Sequence, residues 1–367
     1  MRRTGPVLLL ALLAACRGEP QDRVKIALAV PLTGDLAADG RGLERAARLA
    51  FEEDPQTAEL VVFDDRGDPL QAVSVARQIA EDPAVLAVVG HLTSGCSVDA
   101  ARVYAAAGIP MITPSATAPV LTLQQESGGW PGERVVFRLP PSDAVQGDAL
   151  AEHAVKRLGA RVFAVLHDRT AYGLGIAEAF TAGVEKRGGK VAVFEPVERG
   201  ARDFSPALDA LDAGRVGALF YGGVYPEAGP LLRRARARGF SGHFLAGDGV
   251  KSGDFVASAG PAAEGALLSV AGVPLEDLPS AADFAARYQA RHGEPPRTFD
   301  HYGYEAARIA LAAARKAGRD RRRALDWIRA ARHESMVGPF IFDSKGDSLK
   351  SLVTVLRVER GRFVRAY

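Results

Sequence analysis

From Val24 onward, short apolar runs alternate with stretches whose apolar positions recur every three or four residues. The run VKIALAVPL predicts a buried strand. After the segment GDLAADGRG, which reads as a turn, Leu43, Ala46, Ala47, Ala50 and Phe51 share one face of a helix beginning near Arg41. ELVVFDD is a second strand, and Asp68 then stands where a helix N-cap belongs, with Pro69 in the first turn of PLQAVSVARQIAED. AVLAVVG predicts a third strand and leads into residues 90–119, GHLTSGCSVDAARVYAAAGIPMITPSATAP. That stretch reads as a strand end, a hydroxyl-rich turn, a helix, a short strand and a second hydroxyl-rich turn. Continuously apolar strands separated by helices imply βαβ crossovers and a parallel sheet covered on both faces.

A Gly- and Pro-rich passage at residues 124–147 interrupts the rhythm, which then restarts with the strands RVFAVLHD, KVAVFEP, GALFYGG and HFLAGDG and helices between them. Three amphipathic helices follow AEGALLSVAG, and the tail alternates as strands around a KGD turn. A chain of 367 residues suits two domains of ordinary size. The expected lobes are residues 24–140 plus 272–340 and residues 141–271 plus 341–367, joined by about three crossings.

The start of the chain departs from this pattern. Arg2 and Arg3 precede an apolar run ending in LLAAC, too short to span a bilayer, so residues 1–15 read as an export signal. Ala14 and Ala15 before Cys16 look like a lipobox, which makes Cys16 the expected lipidation site and residues 16–23 a tether to a bacterial membrane. Without residues 1–15 the 46 basic residues fall by Arg2 and Arg3 to 44, against 44 acidic ones. A neutral chain carries no nucleic-acid footprint. Cys96 is then the remaining thiol, which excludes an internal disulfide, and it reads as a small buried residue.

Catalytic patterns are scarce. The seven histidines show no metal-ligand spacing, and there is no phosphate-binding loop or nucleophile elbow, so neither a cofactor nor an enzymatic activity is expected. Binding chemistry is better represented. The turns TSGCS and TPSAT follow strands, where hydroxyls and free backbone N–H groups can hold an anion; Ser94 and Thr117 are the candidate hydroxyls, with plain helix capping as the alternative. Tyr172 in HDRTAYG, Asp248 in FLAGDG and the glycines of YGGVYPE also lie at strand ends, where open α/β sheets bind ligands.

In family order, the stretches VKIALAVPLTGDLAADG, FDDRGDPLQAVSVARQI, VVGHLTSG, IPMITPSATAP, HDRTAYG, DFSPAL, YGGVYPEAG, FLAGDGV, AAEG and GPFIFDSKGD resemble the substrate-binding proteins of branched-chain amino acid ABC transporters. The resemblance spans nearly the whole mature chain. It implies an α/β fold of the type I periplasmic binding protein kind: two lobes that close on a free amino acid and deliver it, as a monomer in the periplasm or cell envelope, to permease subunits. A ligand-sensing receptor of the same fold is the alternative. By position, Ser94, Ala116 and Thr117 match the residues that hold the ligand's carboxylate. Ser115, Thr117 and Asp248 match those that receive its ammonium, and Tyr172 matches an aromatic from the second lobe. Asp39 and Val224 depart from the family's aromatic positions. An acid at Asp39 would favour a polar or cationic ligand; capping of the following helix is its other reading. Gly67 and Thr93 replace the family's cystine pair.

Overall fold

The computed structural model describes residues 23–214, 216–350 and 352–366. The expected export signal and Cys16 lie outside the described residues. The first lobe is built from β1 (Lys25–Val30), α1 (Ala37–Glu53), β2 (Glu59–Asp64), α2 (Pro69–Glu81), β3 (Val85–Gly90), α3 (Ser94–Ala107), β4 (Met111–Thr113), α4 (Val120–Leu123) and β5 (Val136–Arg138). Its strands form one parallel sheet in the order β2-β1-β3-β4-β5. β3 is buried along its whole length, as its unbroken apolar run requires in a sheet covered on both faces. Asp68 caps α2 as expected, its side chain accepting from Gln71 N–H, with Pro69 opening the helix.

The second lobe follows with α5 (Asp143–Glu152), β6 (Val162–His167), α6 (Ala171–Lys186), β7 (Lys190–Pro196), α7 (Ser205–Gly214), β8 (Ala218–Gly222), α8 (Tyr225–Ala237), β9 (His243–Ala246), α9 (Gly253–Ala259) and β10 (Leu267–Ala271). The chain then returns to the first lobe with α10 (Ala282–His292), α11 (Asp300–Ala317) and α12 (Arg321–Ala330). Phe284, Tyr288, Tyr304, Leu325 and Ile328 from these helices join the core around β1 and β3. It ends on the second sheet as β11 (Val353–Glu359) and β12 (Arg362–Arg365), giving the order β12-β11-β10-β9-β8-β6-β7.

Three details depart from the sequence reading. The second sheet is not wholly parallel: β11 pairs antiparallel with both β10 and β12, and between β11 and β12 a tight turn at Arg360 and Gly361, both with positive φ, reverses the chain. α1 begins at Ala37 rather than near Arg41, so Gly40 and Gly42 are helical. A Cβ at Gly40 would lie 1.7 Å from the Pro31 carbonyl oxygen, so these glycines serve close packing and not a turn. Residues 340–348 stay with the first sheet, where Phe340 and Phe342 join its core and Asp347 bridges to Arg138. The last crossing therefore falls beyond Ser348 rather than at residue 340.

The two sheets share a logic that places the site. Within β2-β1-β3-β4-β5 and within β7-β6-β8-β9-β10 the strand order reverses at the first strand, β1 or β6. In such sheets the crevice opens beyond the carboxyl ends of the strands on either side of that reversal. Those ends are the segments after Val30 and Gly90 in one lobe and after His167 and Gly222 in the other.

Candidate functional site

The segments after these strand ends meet around one cavity of about 380 Å³, a size usual for a small-molecule site. The first lobe lines it with Leu36, Asp39, Gly67, Leu92, Ser94 and Ser115, the second with Asp168, Tyr172, Arg199, Val224 and Asp248. Tyr225 Oη donates to the Asp35 carbonyl at 3.3 Å, so the lobes touch beside the cavity.

On the first lobe, Thr93 is the N-cap of α3, its hydroxyl accepting from Cys96 N–H. Capping by Thr93 releases Ser94 from that task. Ser94 Oγ instead accepts from Ala118 N–H at 3.2 Å and ties the first hydroxyl turn to the second. Ser94 and Gly95 open the helix, where backbone N–H groups have no intrahelical acceptor, and both line the cavity. A helix N-terminus of this kind attracts a carboxylate. Ser115 Oγ donates to the Leu92 carbonyl at 2.8 Å, holding the second turn against the first.

Ala116 and Thr117 do not stand on the cavity wall. Ala116 N–H is taken by Thr113 Oγ1 at 3.0 Å. The Thr117 carbonyl accepts from Asp143 N–H and from Arg138 Nη1, each at 2.9 Å. The cavity thus gathers Asp39, Ser94, Ser115, Tyr172, Val224 and Asp248 and leaves Ala116 and Thr117 one layer behind.

On the second lobe Asp248 is buried at the carboxyl end of β9. Tyr172 Oη donates to its Oδ1 at 2.9 Å, and Gln146 Nε2 donates to its Oδ2 at 3.0 Å. The same Gln146 nitrogen donates to Asp143 Oδ1 at 3.1 Å, so one amide spans two buried acids. Burial pushes the Asp248 carboxyl up to about 6, while the bonds from Tyr172 and Gln146 restrain the rise. Asp143 is held well above its ordinary range by burial first and by the charge of Asp248 second. Asp248 lines the cavity with Asp143 buried behind it, so a cation entering the cavity meets one acid directly and is favoured by the second. The glycines flanking Asp248 make room for Tyr172: a Cβ at Gly247 would lie 2.6 Å from its hydroxyl, and one at Gly249 would lie 2.8 Å from its ring.

Asp39 is neither a helix cap nor a free acid. It sits in the first turn of α1, whose N-cap is Leu36, and its Oδ1 accepts from Arg297 Nε at 2.7 Å. The Asp39 charge is thereby balanced by a cation of the chain itself. Leu36, Leu92, Val98, Val224 and Phe299 make much of the remaining lining apolar. Cys96 is buried, and burial pushes its thiol up to about 12, which suits packing and not nucleophilic chemistry. A Cβ built at Gly67 would stand 3.9 Å from Thr93 Cγ2, so the two positions that replace the cystine pair are indeed neighbours.

Gln146, Asp143 and Arg297 had no local signal. Each acts on a residue more than a hundred positions away or across the cavity, and none sits in a motif. Thr113 and Gly95 lay within the hydroxyl-rich stretch and were within reach of the helix-start rules.

The sequence pattern of the periplasmic binding protein family matches residues 23–362. The chain is 35% identical over 334 residues to the leucine-, isoleucine-, valine-, threonine-, and alanine-binding protein of Pseudomonas aeruginosa, covering 89% of this chain and 87% of that protein. It is 31% identical over 335 residues to the Leu/Ile/Val/Thr-binding protein of Salmonella typhimurium, covering 89% of this chain and 88% of that one. Among solved structures, the leucine-binding protein LivK of Thermotoga maritima superposes with a TM-score of 0.85 at 31% identity, covering 94% of this chain and 98% of its own. The branched-chain amino acid transporter substrate-binding protein LivJ of Streptococcus pneumoniae, in complex with isoleucine, superposes with a TM-score of 0.82 at 26% identity, covering 93% and 97%.

Proposed function

This chain belongs to the periplasmic binding protein family, and on that premise we propose that it is the extracytoplasmic solute-binding component of an ABC importer, taking a free aliphatic amino acid between its lobes. The observation that carries this reading is the pairing of opposite chemistries around one cavity. The α3 N-terminus with Ser94 lies on the first lobe and Asp248 on the second. A zwitterion satisfies both: its carboxylate meets the Ser94 and Gly95 amides, and its ammonium meets Asp248 and the Ser115 carbonyl. Charge-assisted hydrogen bonds contribute roughly 1.5–3 kcal/mol each, and micromolar affinity needs about 8 kcal/mol. A few such bonds suffice.

Because each lobe holds one half of the clamp, a ligand stabilises the closed arrangement over the open one, a difference that a permease can read. Asp39 is neutralised by Arg297 and the adjoining wall is apolar, which supports an aliphatic side chain. The lipobox supports anchoring at Cys16, with the binding lobes held at the membrane surface beside the permease.

A thermal-shift panel tests the ligand class. Leucine, isoleucine, valine and alanine are expected to raise the melting temperature more than lysine, arginine or ornithine, with saturating ligand adding about 2–4 kcal/mol of stability. The reverse ranking rejects the aliphatic reading.

Affinity is also expected to depend on pH. The Asp248 carboxyl lies near 6 without ligand, and a bound ammonium favours its ionised form. Binding therefore releases a proton around pH 6, and affinity falls as pH drops below that value, by at most about tenfold per pH unit. Calorimetry at pH 5.0 and pH 7.5, in buffers of differing ionisation enthalpy, measures both effects; equal affinity at the two pH values counts against Asp248 as the ammonium's partner.

A further inference from the structure

Arg297 lies in the segment between α10 and α11 and reaches both lobes from there. Its Nε donates to Asp39 Oδ1 at 2.7 Å on α1 of the first lobe. Its Nη2 lies 3.4 Å from Asp254 Oδ2 and 3.5 Å from Ser252 Oγ, at the start of α9 on the second lobe. Its own backbone N–H donates to Asp300 Oδ2 at 2.8 Å, and Asp300 is buried. The guanidinium thus pairs with the Asp39 carboxylate of the cavity wall, while its far side reaches the exposed Asp254 carboxylate of the second lobe. Asp39 lines the cavity at 19% side-chain exposure, so whatever charge it shows is shown to the ligand. Lys251, a cation on the cavity wall, is already paired with Glu276 at 3.2 Å.

We propose that Arg297 determines the ligand class: by pairing with Asp39 it makes the side-chain end of the cleft electrically neutral, and so admits aliphatic amino acids and rejects cationic ones. The inference rests on the amino-acid-binding reading above and names the residue that selects within it. The physical reason is direct. A lysine or ornithine side chain entering beside the Asp39–Arg297 pair would meet a carboxylate whose charge is already balanced, and would bring its own ammonium close to the guanidinium. An aliphatic side chain loses nothing there. The bond to Asp254 adds that the neutral end is assembled from both lobes and is complete only when they meet.

The sequence alone concealed this. Asp39 reads as an acid in the pocket, and its partner is 258 positions away. The test compares leucine and lysine by calorimetry on the full mature chain and on Arg297→Met, Asp39→Asn and the double variant. In Arg297→Met the lysine-to-leucine affinity ratio is expected to rise roughly tenfold or more, since an uncompensated, partly buried carboxylate then faces the ligand. The double variant should lose that gain, Asp39→Asn alone should not show it, and Arg297→Lys should keep the native preference. An unchanged ratio in Arg297→Met, or a gain that persists in the double variant, overturns the proposal while leucine binding by the native chain leaves the amino-acid reading standing. A native chain that binds neither ligand overturns both.

Discussion

Asp248→Ala is expected to abolish amino-acid binding in calorimetry, with a loss of about 2–5 kcal/mol, the cost of leaving a bound charge without its buried partner. The argument is local. Asp248 is the acid on the cavity wall that Tyr172 and Gln146 hold from two sides, and the ligand's ammonium has no other carboxylate of that kind on the second lobe's β9 edge. The same carboxylate is costly to the empty protein. Its folded-state pKa of about 6 lies above the ordinary 3.8, so the folded chain holds this proton more tightly than the unfolded chain does. Stability from this group is therefore fully present below about pH 4, falls as pH rises through 6, and is lost above it.

Asp248→Asn removes that penalty while keeping an oxygen to accept from Tyr172. At pH 7.5 this variant should melt a few degrees higher than the native chain, by about 1–3 kcal/mol, and should still bind no amino acid. At pH 4 the two should melt together. A variant that is no more stable at pH 7.5, or one that binds leucine with native affinity, contradicts the assignment.

Arg138→Ala is expected to carry the largest cost to folding. Arg138 is 1% exposed at the end of β5. Its Nε and Nη2 hold Asp347 Oδ1 at 2.9 and 2.6 Å, and its Nη1 donates to the carbonyls of Thr117 and Ala118 at 2.9 and 2.7 Å. One side chain thus joins the second hydroxyl turn to the segment that crosses back between the lobes. Truncation leaves those carbonyls without this donor and takes from a half-buried carboxylate its closest cation, for which about 3–5 kcal/mol is the usual loss. Urea unfolding should show a clearly lower midpoint, and Arg138→Lys should recover only part of it, because an ammonium cannot serve the carboxylate and two carbonyls in one plane. A midpoint within about 1 kcal/mol of native would mean that the turn is held by other contacts. Leucine affinity should fall as well, since Ser94 Oγ is fixed by the Ala118 N–H of that same turn.

Both positions show how far the sequence could be read. Asp248 was legible because it follows a buried strand and sits where the sheet opens. Arg138 was not, because its partners are spread over residues 117–122 and 347, and nothing in VVFRLPP distinguishes a buried arginine from a surface one. Thr117 was identified as a cavity residue, yet the cavity wall there is Ser94 and Ser115, and the Thr117 carbonyl is turned to Arg138 and the Asp143 N–H. Strand-to-turn position says that a hydroxyl lies near the crevice; whether it points in depends on what packs behind it.

The periodicity of apolar positions determined the βαβ order, the parallel strands that the crossovers join and the placement of Ser94, Ser115, Tyr172 and Asp248 just beyond strand carboxyl ends, because strand and helix periods are local properties of the chain. The hydroxyl and glycine turns determined that an anion site lay near Ser94. Tertiary structure alone decided the charge that the cleft presents. Asp39 is cancelled by Arg297 and Asp248 is bridged to Asp143 by Gln146. Electrostatic character depends on which groups come within a few ångströms in a poorly solvated space, and for these groups the fold sets that distance while separation along the chain does not.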